Sequence, residues 1–386
     1  MSNLVKASVV SLLGAVGFNL YSQAHQSEAR QRSQQVRAER IAQSPQFHDG
    51  KAITRMPSVE SPEKMSSVMY KFFFERASYK PQQALPFIAI DETRFDQPHD
   101  APRVTWLGHS SLFIELDQQK LLVDPVFDYA SPWLAKKMFS RNVAAPIARE
   151  SLPLPDAIVI SHDHYDHLEE STVRYYADKA VRFYVPLGVG KHLESWGVDP
   201  QLVTELDWWE SAQLGSIQLT AAPANHNSGR TGFDSNQTLW ASWAIKGQNG
   251  SLFYSGDSAY DTHFKQIGER LGPFDIAFIE VAANVKEDKG YPVENWGHMQ
   301  AKHTMQAFID LGAKQLMPVH WSTYELFVHK WDEPMTDLIA EAEQSGAKLV
   351  TPMVGQSFEL NSEITTAYWW QEPEISLVNL QLSYDN

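Results

Sequence analysis

Short apolar runs alternate with amphipathic stretches along most of the chain. Ser111–Leu116 and Ser251–Tyr254 have the length and the aromatic or β-branched content of strands. Residues 157–160 and 276–279 are apolar throughout, which is typical of strands that are covered on both faces of a sheet. The spacing of apolar residues predicts three helices, near residues 171–178, over 299–311 and over Glu333–Ser345. The pattern therefore predicts an α/β fold.

The two halves of the chain repeat one arrangement of strands. In the first half, a predicted strand ends at Asp124, and the apolar run 157–160 follows it. In the second half, a predicted strand leads into Gly256 and Asp257, and the apolar run 276–279 follows. We therefore expect two similar β-rich halves that pack face to face with helices outside. The loops after their strands then meet at one edge, where a site is expected.

The N-terminal segment differs from the rest of the chain. Lys6 precedes an apolar run over residues 9–18, which is shorter than the roughly 20 residues of a membrane-spanning helix. Small residues at Ser22 and Ala24 fit the cleavage site of a secretory signal. We predict that residues 1–24 are a signal peptide or an N-terminal membrane anchor, with a short amphipathic helix as the alternative. Such a segment predicts a membrane-associated or periplasmic protein, or a cytoplasmic one if the segment is not an export signal.

The remaining chain divides into a polar, glutamine- and arginine-rich stretch and a folded domain. Residues 25–45 are predicted to be a polar linker, with an exposed helix as the alternative, and residues 46–386 are predicted to be the folded domain. The oligomeric state stays open, with a homodimer as one alternative.

The composition excludes several classes of function and of metal site. The 386 residues carry a formal net charge of −15, which argues against a general nucleic-acid binder because such a protein needs a basic face. The chain has no cysteine, so disulfides, thiol nucleophiles and cysteine-ligated zinc sites are excluded. Any metal ion must therefore be bound by carboxylates and by some of the 14 histidines.

The densest cluster of candidate ligands directly follows the apolar run 157–160. Residues two apart at a strand exit point the same way, so His162 and His164 can bind one cation, and the following turn brings Asp166 and His167 beside it. Imidazole and carboxylate ligands suit zinc, with iron or manganese as alternatives. A polar loop that caps a helix is the competing interpretation, but a cap does not require three histidines.

Three further candidate ligands lie at predicted strand ends. His226 follows the strand 216–222, Asp257 follows Ser251–Tyr254, and His320 ends an apolar run. Taken singly, such residues are more often solvated or placed in turns. Together with the cluster at 162–167 they supply enough ligands for two metal ions.

The spacing of His162, His164, Asp166 and His167 resembles the HxHxDH signature of the metallo-β-lactamase superfamily. Further segments are similar to the N-acyl-phosphatidylethanolamine-hydrolysing phospholipase D group of that superfamily: 105–111, 122–127, 161–168, 206–210, 238–243, 256–258 and 318–321, with 45–51 similar to its bacterial members. The resemblance implies an αββα metallo-β-lactamase sandwich of two β-sheets with helices on the outer faces.

The resemblance also implies a dinuclear zinc site. Its two ions would be held by two sets of three ligands: His162, His164 and His226, and Asp166, His167 and His320. Asp257 would bridge both ions, and a bridging hydroxide would be the nucleophile. Asp166 and Asp257 are therefore candidate catalytic residues as well as ligands. Two cations lower the pKa of bound water towards ~7 and stabilise the attacking and leaving oxygens.

Four other residues are candidates for supporting roles. Asp124 is expected to orient a ligand histidine. His109 either reaches the site or makes a structural hydrogen bond. His298 resembles a substrate-side histidine of the group and is a candidate catalytic residue in contact with the phosphate or the leaving group, with a helix-cap position as the alternative. Arg230 follows His226 in a segment that is less basic than is common in the group.

The resemblance implies a metal-dependent phosphodiesterase of the phospholipase D type, in which water attacks phosphorus and releases phosphatidic acid from an N-acylated headgroup. An ester, lactone or lactam hydrolase would use the same ligands, and a nuclease is disfavoured by the net charge of −15. A non-catalytic envelope protein is the alternative from a different class.

A phospholipid substrate implies a membrane surface as a partner. The adjacent pairs Trp208–Trp209 and Trp369–Trp370 would each direct one ring outwards in a strand, which suits a membrane interface. Packing of these rings beneath loops is the preferred interpretation.

Overall fold

The computed structural model describes residues 27–56, 66, 70, 74–75, 79–99, 101–282, 297–327, 329–360 and 368–371. The predicted signal peptide or anchor over residues 1–24 lies outside these ranges. Within them, every helix is too short or too polar to cross a lipid bilayer.

The first sheet has seven strands and changes from antiparallel to parallel at its centre. Its strands are β3 (Arg103–Gly108), β4 (Ser111–Leu116), β5 (Gln119–Val123), β6 (Ala157–Val159), β7 (Arg182–Pro186), β8 (Val203–Leu206) and β15 (Ser357–Glu359). They lie in the order β15-β3-β4-β5-β6-β7-β8. Pairing is antiparallel from β15 to β5 and parallel from β5 to β8.

The second sheet has six strands and makes the same change. Its strands are β9 (Ser211–Leu214), β10 (Ile217–Ala222), β11 (Ser242–Lys246), β12 (Ser251–Tyr254), β13 (Ile276–Glu280) and β14 (Leu316–Val319), in sequence order across the sheet. Pairing is antiparallel from β9 to β12 and parallel from β12 to β14. The strands that change direction of pairing, β5 and β12, are those that lead into Asp124 and Asp257, so the predicted repetition of the two halves is present.

Alternation along β4 shows how the layers are built. Leu112 and Ile114 pack in the core that also contains side chains of the second sheet, such as Trp243. Phe113, which lies between them, packs on the opposite face with residues of the neighbouring helices, such as Val173. This period of two places one face of the sheet against the other sheet and one face against helices.

Helices cover the outer faces of both sheets. They are α1 (residues 27–43), α2 (Glu170–Tyr176), α3 (Gly190–Ser195), α4 (His263–Leu271), α5 (Ala301–Leu311) and α6 (Glu333–Ser345). Side chains of α2 and α3 fill the outer core of the first sheet. On the second sheet, Phe264 of α4 packs on Phe253 of β12, with 6.2 Å between the ring centroids. The structure therefore confirms the predicted αββα sandwich. A two-stranded hairpin, β1 (Phe47–His48) and β2 (Lys51–Ala52), lies apart from the two sheets.

The predicted linker over residues 25–45 is, in its described part, a helix that docks on the first sheet. Arg37 of α1 is 6% exposed. Its guanidinium donates to the two carboxylate oxygens of Glu205 on β8 at 2.8 and 3.0 Å, and it also donates to Glu194 on α3. The described part is therefore the helix that was the alternative to a linker, and a buried guanidinium paired with two carboxylates holds it against the domain.

Replacing Arg37 by Ala should lower the free energy of unfolding by about 3–5 kcal/mol, because two buried carboxylates would lose their cation. Chemical denaturation followed by circular dichroism measures the change. Arg32→Ala, on the exposed side of the same helix, is the matched control and should change stability by less than about 0.5 kcal/mol. Equal stability of the two variants would show that this contact does not hold α1 to the domain.

The expected packing of the tryptophan pairs beneath loops is found for three of the four rings. Trp369 and Trp370 are 1% and 4% exposed, and their ring centroids lie 5.5 and 5.0 Å from that of Trp321. Trp208 is also buried and donates its indole N–H to the carbonyl of Trp240 at 2.7 Å. Both pairs lie in turns, where neighbouring side chains do not alternate across a sheet. Trp209 is half-buried, and its ring centroid lies 4.3 Å from Cζ of Arg270.

Candidate metal centre

The seven predicted ligands come together at one edge of the sandwich, where strands of both sheets end. The 162–167 segment follows β6, and the other three ligands follow strands of the second sheet: His226 after β10, Asp257 after β12 and His320 after β14. The two sheets approach closely at Gly256, which has a φ of +55° and where an added Cβ would lie 2.6 Å from Cβ of Ser161. Glycine is required there so that the backbone can turn Asp257 towards the ligands of the first sheet.

Three histidines and Asp257 form the first cluster. Ligand atoms of His162, His164, His226 and Asp257 all lie within 4.8 Å of one another. Nδ1 of His164 is 2.9 Å from Nε2 of His162 and 3.2 Å from Nε2 of His226. Burial holds the pKa of His162 and of His226 well below the ordinary value, so both imidazoles are neutral and can offer lone pairs to a cation.

Asp166, His167 and His320 form the second cluster, which His109 joins. Oδ2 of Asp166 lies 3.1 Å from Nε2 of His109, 3.2 Å from Nε2 of His320 and 3.4 Å from Nε2 of His167. Burial opposes charge on His320, but the carboxylates of Asp257 and Asp166 raise its pKa to about 10. This cluster therefore stabilises positive charge, which a metal ion can supply in place of a proton.

Asp257 is shared by the two clusters. Its Oδ2 lies 3.6 Å from Nε2 of His162 and 3.7 Å from Nε2 of His226. The same oxygen lies 3.1 Å from Nε2 of His167 and 3.1 Å from Nε2 of His320. One carboxylate is therefore within reach of ligands of both sets, as the predicted bridging role requires.

Two buried polar atoms at the centre lack hydrogen-bond partners, and they show whether metal ions would fit there. Nε2 of His167 and Oδ1 of Asp257 are buried and have no hydrogen-bond partner among the described residues. Buried polar atoms are paired in the great majority of cases, and cations coordinated by these atoms would satisfy both. The imidazole and carboxylate donors match the preferences of zinc and of other first-row dications. The residues present therefore fit a two-metal centre.

Asp124 makes the orienting contact that was predicted for it. It is fully buried, and its Oδ2 accepts hydrogen bonds from Nδ1 of His167 at 2.7 Å, from Ser161 at 2.5 Å and from the hydroxyl of Tyr254 at 2.5 Å. The contact fixes the tautomer of His167, so that its Nε2 is the nitrogen that faces the centre.

His109 reaches the centre, which resolves the two alternatives left open by the sequence. Besides its contact with Asp166, its ring centroid lies 4.1 Å from that of His320. Its backbone has a φ of +53°, and its N–H donates to the hydroxyl of Thr323 at 2.6 Å. Burial lowers the pKa of His109 to about 3, with the neighbouring His320 adding to the effect, so this ring is neutral.

His298 lies at the rim of the centre and is held there by Glu280. Nδ1 of His298 is 2.9 Å from Oε2 of Glu280 and 3.9 Å from Oδ2 of Asp257. Glu280 is fully buried and also accepts the backbone N–H of Ser258 at 2.5 Å. Sequence reasoning missed Glu280, although an acidic residue at the end of the apolar strand β13 was a usable signal.

Arg230 does not face the centre. Its guanidinium donates to the backbone carbonyls of Asp163 and Leu168 at 2.7 Å each and lies 4.0 Å from the ring centroid of Tyr165. This arginine therefore braces the metal-binding loop from behind. A phosphate at the centre would meet the metal ligands and His298 rather than Arg230.

Comparisons with known proteins agree with this geometry. The family model for the β-lactamase superfamily domain matches residues 119–321. An uncharacterised protein of Mycobacterium tuberculosis is 35% identical over 337 residues, which are 85% of this chain and 88% of that protein. N-acyl-phosphatidylethanolamine-hydrolyzing phospholipase D 1 of Caenorhabditis elegans is 30% identical over 270 residues, which are 66% of this chain and 75% of that protein.

A solved structure supports the fold. The isothiocyanate hydrolase from Delia radicum gut bacteria superposes with a TM-score of 0.52 at 17% identity, over 66% of this chain and 98% of that one.

The fold and the site define a metal-dependent hydrolase with the metallo-β-lactamase fold, and the chain belongs to the β-lactamase superfamily. Within the superfamily, its similarity to the phospholipase D group that was suggested by the sequence is confirmed.

Proposed function

We propose that this hydrolase is a dinuclear zinc phosphodiesterase of the phospholipase D type, which cleaves N-acyl-phosphatidylethanolamine-like lipids. The observation that carries the proposal is the position of Asp257, whose Oδ2 lies between 3.1 and 3.7 Å from nitrogens of both histidine sets. The choice of substrate is supported by the 30% identity to a relative that is named for this activity.

The ligand sets remain those implied by the sequence. One ion would be held by the first cluster, the other by the second, and Asp257 would contact both. When bound, the two ions would supply hydroxide at neutral pH and offset the negative charge of a phosphodiester.

The protein's own residues orient the reacting groups. Asp124 fixes the ring of His167 through Nδ1, and Glu280 does the same for His298. Because Nδ1 of His298 is engaged, Nε2 is the nitrogen that is left to hold a proton for the departing oxygen of the N-acylethanolamine. The side chain of His298 is 17% exposed, so a substrate can reach it from solvent.

Hydrolysis in oxygen-18 water tests the reaction. Zinc-loaded protein and N-acyl-phosphatidylethanolamine in mixed micelles should yield phosphatidic acid that carries the label and N-acylethanolamine that does not, because water attacks phosphorus. Phosphatidylethanolamine without the N-acyl chain is the matched substrate and should turn over more slowly. Label in free fatty acid would instead indicate an ester hydrolase. Metal analysis of the same active sample should give about two zinc ions per chain, and one ion in fully active protein would contradict the dinuclear centre.

A further inference from the structure

The segment that follows Asp124 leaves the metal edge and returns to it. It begins beside Asp124, which contacts His167. It ends at Asn142, whose backbone N–H donates to the carbonyl of Thr323 at 2.7 Å and whose side chain donates to the carbonyl of Ser322 at 3.1 Å. Because Ser322 is two residues beyond His320, both ends of this segment lie at the edge that carries the metal ligands, and residues 130–140 form its middle. We call it the 130–140 loop.

The 130–140 loop exposes apolar side chains at its tip, while residues near its ends pack against the domain. Trp133 and Leu134 are 67% and 88% exposed. They lie in one turn of 3-10 helix, Trp133–Ala135. The end of the loop is held in place, because Phe139 packs against a small hydrophobic cluster that includes Tyr324. Trp133 and Leu134 belong to none of the core clusters formed by the described residues.

The loop is also basic, in contrast to the chain as a whole. Residues 129–149 contain no Asp or Glu, whereas the chain has a net charge of −15. Lys136 and Lys137 are exposed, and neither has an ion-pair partner in the part of the chain that the structure describes, although Nζ of Lys136 lies 6.0 Å from the ring centroid of Trp133. Arg141 is engaged internally, since it donates to the carbonyls of Val126 and Leu107. Two lysines are therefore free to meet an anionic surface.

A flat lipid surface suits this feature better than a protein partner. An exposed Trp and a neighbouring aliphatic residue beside lysines are the combination that binds to the headgroup region of anionic bilayers. Two side chains bury far less than the roughly 800 Å² per partner that a stable protein interface requires.

We propose that the 130–140 loop docks the protein on an anionic lipid bilayer, with Trp133 and Leu134 inserted at the interface and Lys136 and Lys137 among the headgroup phosphates. The inference rests on the proposed function in one respect, since a lipid substrate gives the docking its purpose. Docking at this edge brings headgroups towards the metal ligands. Of the two tryptophan pairs, Trp208, Trp369 and Trp370 are buried and Trp209 is half-buried, so the loop replaces them as the proposed membrane-facing surface.

A single fluorescent reporter tests the docking, because the chain has no cysteine of its own. Leu134→Cys in the full-length chain is labelled with an environment-sensitive NBD dye and mixed with phosphatidylcholine–phosphatidylglycerol vesicles that contain no substrate. The emission should shift to the blue, and lipids with a nitroxide on the acyl chain should quench it. Ile309→Cys, at a position on α5 that is 53% exposed, is the matched control and should respond to neither.

The charge of the lysines is tested in the same assay. Lys136→Gln and Lys137→Gln should each weaken partitioning of the labelled chain by about fivefold, and vesicles of phosphatidylcholine alone should bind it less than the mixed vesicles. An NBD dye at position 134 that stays in water while the chain binds vesicles would overturn the proposal and assign membrane binding to another segment. Partitioning that is indifferent to both lysines and to phosphatidylglycerol would overturn its electrostatic part.

The labelled variant also separates this inference from the proposed function. Its hydrolysis of detergent-dispersed N-acyl-phosphatidylethanolamine is measured in parallel. Insertion without hydrolysis supports the docking surface and contradicts the proposed substrate, whereas hydrolysis without insertion supports the substrate and overturns the docking surface.

Discussion

Replacing Asp257 by Asn should lower the hydrolytic turnover by at least about 10³-fold and reduce the bound metal below two ions per chain. Loss of a partner that only orients a metal ligand costs about 10–100-fold, and Asp257 is in reach of both ligand sets. An amide has nearly the same shape as a carboxylate but lacks the negative charge that two adjacent cations require. Steady-state kinetics and elemental analysis of the same preparation measure both effects.

Asp178→Asn is the matched control for this prediction. It makes the same chemical change at a side chain that is 85% exposed, and it should leave turnover and metal content unchanged. If Asp257→Asn kept near wild-type turnover with both ions bound, Asp257 would be no more than a turn residue after β12, and the dinuclear centre would have to be built without it.

The ligand set could be predicted from the sequence because strand ends carry it. Apolar runs marked β6, β12 and β14, and a His or an Asp follows each of them within three residues. Strand exits in a two-sheet sandwich meet at one edge, so neighbours far apart in sequence, such as His162 and Asp257, could be placed together before any distance was known. The repeated order of strands and the sharp turn at Gly256 supported the same conclusion.

Contacts of side chains that do not lie at strand ends could not be predicted in this way. The sequence shows Arg37 as one of several polar residues in a hydrophilic stretch, and its partner Glu205 lies 168 positions away. Burial of that ion pair depends on how α1 crosses the sheet edge, which no local pattern encodes. An outward ring is absent from the pair Trp369–Trp370 for a related reason, since alternation applies to strands and this pair lies in a turn.

If His298 donates a proton to the leaving group, its replacement should lower kcat by an amount that depends on the substrate. His298→Ala should lower kcat for N-acyl-phosphatidylethanolamine by about 10²–10⁴-fold, the usual contribution of a positioned acid. Zinc content should not change, because His298 is outside the two ligand sets. A nitrophenyl phosphodiester, whose leaving group needs no proton, should lose less than about tenfold. His48→Ala, at a side chain that is 78% exposed, is the control and should affect neither substrate.

Replacement of Glu280 should lower kcat with the same dependence on the leaving group but to a smaller extent, because Glu280 acts through His298. Glu280→Gln removes the charge and leaves one acceptor oxygen where the carboxylate offers two, to Nδ1 of His298 and to the backbone N–H of Ser258. It should lower kcat for the lipid by about 10–100-fold with little change in KM. The nitrophenyl substrate should again be nearly unaffected. Glu150→Gln, at a side chain that is 54% exposed, is the matched control. An equal loss on both substrates, accompanied by a lower melting temperature, would mean that Glu280 supports the fold of β13 and does not position His298 for proton transfer.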